Sequence, residues 1–306
     1  MITSAKIRRL PRGRKQWTDQ FTSFLFIAPF LLLFTVFVLI PFFQAAYTSL
    51  TYDNLIQPAE FIGFTNYRVL LTNDDIFITA MSNTLIFAFV TGLAGYALSF
   101  ILAWLINMFK MRVGFSLAFY APSLTSGVAM AVVWKYFFSN DRYGLFNDIL
   151  FRMGLIDSPI LWLSDSNFIL PVVMFVSLWM SMGNGFLVFL AGLQNVPGEI
   201  LEAGQIDGVR NKFQELFYII LPTMKPQLLF GAVNTVVSSF GVFDIAVSLV
   251  GMPSPNYAAH TIVAHLFDKA FIRFEMGYAS AIAMFLFFFT FVISRILMRL
   301  LSSDDQ

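Results

Sequence analysis

Six stretches of this 306-residue chain are almost wholly apolar: Ser23–Tyr47, Thr79–Phe109, Val113–Trp134, Asn167–Leu193, Pro226–Val250 and Gly277–Ser294. Their length carries the signal. A hydrocarbon core about 30 Å thick needs roughly 20 predominantly apolar residues per helix, and a helix satisfies its own backbone groups where water is absent. The pattern therefore predicts an all-α integral membrane protein with six transmembrane helices. Only the fifth stretch holds an acidic residue, Asp244, near its outer end. The first apolar run, Phe21 to Tyr47, follows a basic segment but is too long for a leader and has no small-residue cleavage site, so it reads as a retained anchor.

The polar residues between these runs orient them. Lysine and arginine accumulate in short cytoplasmic segments. Lys6, Arg8, Arg9, Arg12, Arg14 and Lys15 place the N-terminus inside; Lys110 and Arg112, then Arg210, Lys212 and Lys225, mark inner loops, and Arg295 and Arg299 an inner C-terminus. The alternate loops hold fewer: Arg68, then Arg142 and Arg152, then Lys269 and Arg273, with Lys135 at a helix end. The expected organisation is a cytoplasmic tail (1–22), a first helix with its outer loop (23–78), a core of five helices (79–300) containing a cytoplasmic loop (193–225), and a short cytoplasmic tail (301–306).

Composition narrows the chemistry. Hydrophobic residues make up 58% and charged residues 12%, and the mean hydropathy is +0.74, which suits a membrane-embedded chain. A net charge of +1 offers no field for nucleic acid, and the absence of cysteine removes thiolate nucleophiles and cysteine metal sites. His260 and His265 lie five apart in an outer loop without an H-E-x-x-H frame, so no metal site is expected. Neither G-x-S-x-G nor the phosphate-binding G-x-x-x-x-G-K-[ST] occurs, so no catalytic residues and no bound cofactor are expected. Gly92, Gly95 and Ser99 form a small-residue face on the second helix, as Ala279 and Ala283 do on the sixth, suited to close helix contact. Trp104, Trp134 and Trp162 fall where interfacial belts are expected.

The most polar long stretch of the second half is a small amphipathic module. Pro197 can open a helix, and Glu199 and Glu202 then occupy its first turns, where the helix dipole favours negative charge. That helix runs from Gly198 to about Asp207, where Gly208 suits a left-handed cap. A second helix is expected from near Val209, with Phe213, Leu216, Phe217 and Ile220 on one apolar face, and Pro222 and Pro226 punctuate the return. Such a helix-turn-helix fits either a docking knob or an interfacial linker with no partner.

The string "LQNVPGEILEAGQIDGVRNKFQELFYIILPTMKP" resembles the EAA signature of the permease subunits of binding-protein-dependent ABC importers, especially their carbohydrate group. Leu193, Pro197, Glu202, Ala203, Ile206, Asp207, Gly208, Phe217, Ile220, Leu221, Pro222 and Pro226 match, whereas Gly204 and Val209 depart from the usual residues. "SLTYDN", "FIGFTNYRVLL", "SNTLIFAF", "FDIAVSLV" and "GYASAIA" are similar to other parts of the same family, while "GMPSP" stands where relatives carry Gly-Gly-Pro.

The resemblance implies a bacterial inner-membrane transport subunit of an ATP-driven importer for a sugar or oligosaccharide. Its expected partners are a second permease subunit, completing a heterodimer, two copies of a cytoplasmic ABC ATPase that bind ATP and Mg, and an extracytoplasmic solute-binding protein. It assigns ATPase coupling to Glu202, Ala203, Gly204, Asp207 and Gly208. It places the substrate pathway at Ser177, Met180, Ser181 and Asn184 on the fourth helix and at Asn234, Val237, Ser238 and Gly241 on the fifth. Both quartets follow i, i+3, i+4, i+7, which puts each on one helical face. Trp179 and Phe240 are candidates for stacking on a sugar ring. Hydrogen bonding between permease subunits remains an alternative use of these polar groups. Asp244 is read as a structural or gate residue rather than an ion-coupling one. A non-sugar solute such as glycerol phosphate, or an ion-coupled secondary transporter, is the alternative function.

Overall fold

The computed structural model describes residues 12–109 and 112–302. Lys6, Arg8, Arg9, Lys110 and the tail 303–306 lie outside the described residues, as do the side chains of Arg12, Arg14, Lys15, Arg112 and Asn184. In chain order the elements are α1 (Arg12–Phe34), a π turn (Thr35–Leu39), α2 (Ile40–Thr48), a two-residue antiparallel pair β1 (Thr51–Tyr52) and β2 (Glu60–Phe61), α3 (Thr65–Thr72) and α4 (Asp75–Asn107). There follow α5 (Arg112–Leu124), α6 (Gly127–Phe137), α7 (Leu145–Arg152), α8 (Ser166–Gln194), α9 (Gly198–Ile206), α10 (Lys212–Glu215), a second π turn (Leu216–Ile220) and α11 (Leu221–Thr223). The chain closes with α12 (Lys225–Phe240), α13 (Asp244–Val250), a 3-10 turn (Pro255–Tyr257), α14 (Ile262–Phe267), a third π turn (Asp268–Ile272) and α15 (Met276–Ser302).

Among the described residues, five helices are long and apolar enough to cross a membrane, within residues 22–48, 75–107, 166–194, 225–250 and 276–300. The expected third span corrects to a broken one. Its halves, Gly114–Leu124 and Gly127–Phe137, meet at 97°, and taken as one crossing they bring the number of spans among the described residues to six. Pro122 sits inside α5 and lacks the N–H of the helical ladder, and Ser126 then turns extended (ψ 136°). The fifth span is also interrupted: α12 ends at Phe240, and Phe243 leaves helical geometry before α13 restarts at Asp244. The carbonyl of Val242 freed by this break accepts the Thr261 hydroxyl at 3.0 Å.

Two of the π turns precede a proline by two residues. Pro41 and Pro222 would crowd the carbonyls of Phe37 and Tyr218 in a regular helix, and the wider turn, closed by Ile40 N–H to Thr35 O and Leu221 N–H to Leu216 O, relieves that crowding. The first span lies largely outside the packed body: none of its most apolar window is buried by the rest of this chain. That surface is stable only against lipid or another apolar subunit.

Helix α4 is the spine. Against α8 it uses small residues, as expected: a methyl group added to Gly95 would sit 3.3 Å from Ser181 Oγ, and one added to Gly185 3.1 Å from Ser99 Oγ. Gly92 makes the equivalent approach to Ser239 of α12. Large side chains are segregated above and below this waist. One cluster joins Phe87, Trp134, Phe138, Ile169, Val173, Ile245 and Leu249; the other joins Phe100, Trp104, Phe186, Phe189, Leu193, Leu216 and Met224. Trp104 and Trp134 are therefore core residues, about 7% exposed, and not the interfacial belt expected. Trp162 is half-buried and donates its Nε1–H to Asn147 Oδ1 at 3.1 Å.

At the end of the bundle remote from α9, three buried asparagines tie irregular segments together. Asn147 donates to the carbonyls of Ser139, Asp141 and Ile160; Asn66 donates to those of Ser49 and Thr51; Asn83 donates to those of Tyr257 and His260. Each satisfies backbone groups that no helix or sheet pairs. Gly277, in the first turn of α15, donates its N–H to Asp53 O at 3.1 Å, and an added methyl group would overlap the Thr51 carbonyl oxygen. Because that obstacle is backbone, Gly277→Ala is expected to destabilise the chain by about 1–3 kcal/mol. Gly114→Ala, with nothing within 4 Å of the new carbon, serves as the control. Equal melting temperatures for the two variants would refute this close approach.

Candidate functional site

Between the two large-residue clusters lies a cavity of about 630 Å³, walled by α4, α5–α6, α8 and α12–α13. Of the residues expected from the sequence, Ser177, Met180, Ser181, Asn234, Ser238, Gly241 and Asp244 line it together. Val237 does not; it turns outward and is exposed, so only part of the expected face on α12 meets the cavity. Asn184 follows on α8, with its side chain outside the described residues. Neither aromatic candidate reaches the lining: Phe240 is buried against Phe289, with ring centroids 5.6 Å apart, and Trp179 packs edge-on to Trp134 at 6.2 Å.

Sequence reasoning missed Thr91, Ser123, Thr235 and Ser239, which also line the cavity, and assigned Gly95 and Ser99 to packing alone. Their signal was a serine and threonine content unusual for lipid-facing positions, obscured because the same residues serve helix contact. Most hydroxyls here are held by their own helix. Thr91 donates to Phe87 O (2.7 Å), Ser238 to Asn234 O (2.5 Å), Ser239 to Thr235 O (2.8 Å) and Ser181 to Leu178 O (3.1 Å). Each keeps oxygen lone pairs free to accept from a guest. Ser177 Oγ is shielded and has no hydrogen-bond partner among the described residues. A wall of hydroxyls and one exposed amide, Asn234, matches the donors and acceptors of a polyhydroxylated solute.

Among the described residues, Asp244 is the only carboxylate on this wall. It stands in the first turn of α13, where its own helix dipole offsets part of the burden of a charge inside a span. The N-terminus of α6 meets it: a methyl group on Gly127 would lie 3.6 Å from Asp244 Cβ. The breaks in the third and fifth spans thus face each other across the cavity rim, a contact with room for a methyl group but not for a large side chain.

The surface module forms a second candidate site. Helix α9 ends in a Schellman arrangement: Val209 N–H bonds Gly204 O at 2.9 Å, Gly208 N–H bonds Gln205 O at 3.3 Å, and Gly208 has φ 98°. The cap falls where the sequence placed it. The following helix, however, starts at Lys212 rather than near Val209, because Asn211 caps it by accepting Gln214 N–H at 2.8 Å while Gln214 Oε1 accepts Arg210 N–H at 2.8 Å. The second π turn also rotates the apolar face. Leu216, Ile219 and Ile220 are buried, while Phe217 and Phe213 are exposed, Phe213 tilted against Trp104 with ring centroids 5.4 Å apart.

Glu202, Ala203, Asp207 and Gly208 face outward. Gly204 does not share their environment. A methyl group there would overlap Ile219 Cδ1, so this departure from the usual alanine admits the isoleucine and seats α9 on the bundle. Sequence reasoning also missed Glu215, buried and paired with Lys212 at 2.7 Å.

At the opposite end of α4, Asp74 caps the helix by accepting Phe77 N–H at 2.9 Å, and its other oxygen meets His265 Nε2 at 3.0 Å and the Tyr278 hydroxyl at 2.7 Å. Burial pushes the Asp74 carboxyl up, but the hydrogen bonds from Tyr278, Phe77 and His265 and the charge of His265 outweigh it and hold it below its usual value. His260 and His265 are buried, and burial lowers both; His260, whose Nε2 has no partner among the described residues, falls to about 4, with His265 adding repulsion. A neutral His260 therefore contributes its full stability above about pH 6.5, and this is lost as pH falls toward 4, by at most about 3 kcal/mol. His260→Phe is expected to flatten the fall in melting temperature between pH 7 and pH 4.5. An unchanged slope would exclude His260 as its source.

Residues 95–304 match the family described as binding-protein-dependent transport system inner membrane component. The chain belongs to this family. Over 99% of its length it is 32% identical to the arabinooligosaccharides transport system permease protein AraP of Bacillus subtilis (strain 168), covering 97% of that protein. It is 34% identical to the probable ABC transporter permease protein YesP of the same organism, over 90% of this chain and 88% of that one. A solved bacterial ABC transporter involved in import of the acidic polysaccharide alginate shares the fold, with a TM-score of 0.81 at 21% identity over 97% of this chain and 100% of that one. The permease is thus a multi-pass inner-membrane component of an importer that works with a solute-binding protein.

Proposed function

We propose that the chain forms half of the pathway of an ATP-driven importer for a sugar or oligosaccharide, with the solute held in the waist cavity and force delivered through α9. The observation that carries this reading is the pairing of a hydroxyl-lined cavity between two rigid cores with a surface helix fixed to one core. AraP is named for arabinooligosaccharides, and a related solved complex contains an alginate pentasaccharide-bound periplasmic protein.

The chain carries no phosphate-binding loop motif, so ATP and Mg belong to two partner ATPase subunits, and a second permease completes a heterodimer. By the distribution of lysine and arginine, α9 lies on the cytoplasmic side. Closure of the ATPases would draw the α9 helices of the two permeases together. The cores would then rock about the waist, with Asp244 and Gly127 at a gate where the two helix breaks meet. Rocking moves solute only if the two states bind it with different affinity. Asp244 is the sole ionisable residue on the described lining, which disfavours an anionic solute such as glycerol phosphate.

The test is purification of the assembled complex from its native membrane, mass spectrometry of the solute on its binding protein, and uptake of that solute by proteoliposomes. A neutral glycan accumulating only with internal ATP supports the reading. A permease that purifies without an ATPase and drives uptake alone overturns it.

A further inference from the structure

The segment Tyr52-Asp53-Asn54 has no part in the waist cavity or the α9 module. It lines a second cavity, of about 360 Å³, at the other end of α4. The two cavities share no lining residue. Their nearest lining residues on α4, Ile76 in one and Phe87 in the other, are 11 positions apart, about 16 Å at the helical rise.

Its charges are unevenly matched. Lys269 Nζ is paired with Glu275 at 2.9 Å and Arg273 Nε with Asp268 at 2.8 Å, while Asp74 is occupied by His265, Tyr278 and the Phe77 amide. Asp53 has no cationic partner among the described residues; its carboxylate accepts only the Leu55 N–H, at 3.0 Å. The lining carries three carboxylates, Asp53, Asp74 and Glu275; Glu275 is matched by Lys269 and Asp74 by His265, and Arg273 is already taken by Asp268 off the lining, so Asp53 is the carboxylate left without a cation. Tyr52, half exposed on the same lining, adds an aromatic ring of the kind that receives cations.

The backbone that carries Asp53 is also held in place before any partner arrives. Its backbone oxygen accepts Gly277 N–H, and Asn66 fixes the strand before it through Ser49 O and Thr51 O. A half-buried carboxylate on an anchored backbone beside an open cavity has met part of the ordering cost of an ion pair, which favours a single basic side chain entering from outside.

We propose that this cavity receives a lysine or arginine side chain of the solute-binding protein, with Asp53 as the carboxylate that meets it. The proposal rests on the importer reading, in which the end remote from α9 faces the binding protein. Charge complementarity selects this occupant: a guanidinium or ammonium group would neutralise Asp53 without displacing an existing pair.

The experiment uses the assembled complex in nanodiscs, titrated with its own binding protein at low and high salt. Asp53→Asn keeps the size of the side chain and the acceptor for Leu55, so the loop is retained. It is expected to weaken docking about tenfold at low salt, about 1.4 kcal/mol, and to flatten the salt dependence. Asp53→Glu recovers most of the affinity, and basal ATP hydrolysis is unchanged. Wild-type affinity in Asp53→Asn overturns the proposal, as does a difference between the two proteins that disappears with EDTA, which would assign the cavity to a divalent ion. A wild-type complex that binds its receptor on the α9 face, or binds none, instead overturns the importer reading.

Discussion

Glu202→Lys is expected to leave the chain inserted and assembled while cutting ATP-driven uptake by about a hundredfold. Glu202 is exposed on α9 and makes no ion pair with the described residues of its own chain, so charge reversal costs the fold little. On the proposed coupling role its effect falls on the interface with the ATPase. There, reversing a charge that faces a basic group in a desolvated cleft would replace attraction with repulsion, and breaking such a pair costs about 3 kcal/mol or more, equivalent to about two orders of magnitude in affinity. Glu199→Lys, one turn earlier and equally exposed, provides the comparison. The readout is uptake and ATP hydrolysis measured together in proteoliposomes. Normal uptake by Glu202→Lys would remove α9 from the coupling route, whereas an equal loss in both variants would point to general charge rather than a specific contact.

Gly127→Leu is the second large effect. Gly127 opens α6 against the first turn of α13, and its added methyl group would stand 3.6 Å from Asp244 Cβ and 3.9 Å from Ile245 N. Alanine therefore fits in ordinary contact. Leucine adds three further carbons toward a backbone that cannot yield, which separates the two broken spans by about the width of a methyl group and costs about 1–3 kcal/mol in whichever state packs them together. Uptake is expected to drop more than about tenfold in Gly127→Leu, with assembly intact, and to remain near wild type in Gly127→Ala. If leucine is tolerated, the contact between the breaks has no part in transport.

The parts of this fold that were readable in advance are those in which one physical requirement dominates. Apolar length dictated five spans, because a bilayer core accepts little else. Gly208 announced the end of α9, because a left-handed residue there is sterically cheap only without a side chain. Gly92, Gly95 and Ser99 announced the contact face of α4, for only small residues allow backbones so close. Ser177, Asn234 and their neighbours could be grouped by period alone, and most of them meet at one cavity.

The misreadings share a different cause. The break at Thr125–Ser126 lies in a run apolar on both sides, and Pro122 was no guide because Pro29 and Pro171 are accommodated within helices that continue. Trp104 and Trp134 suited an interface as well as a core, since an indole is amphipathic; which neighbours surround it is a tertiary fact. Phe213 and Phe217 followed a regular period that the π turn before Pro222 offsets, carrying Ile219 inward in their place. Val237 departs from the cavity face for a simpler reason: a four-residue pattern spans a wider arc than the cavity touches.

The most direct test of the whole scheme compares proteoliposomes containing the complete complex with others in which the ATPase subunits have been stripped away. Solute should accumulate against its gradient only in the former, and only when ATP is enclosed on the side where α9 is accessible to a membrane-impermeant label. Accumulation by the stripped preparation, or labelling of α9 on the face where the binding protein docks, would show that force does not enter this permease through its surface helix.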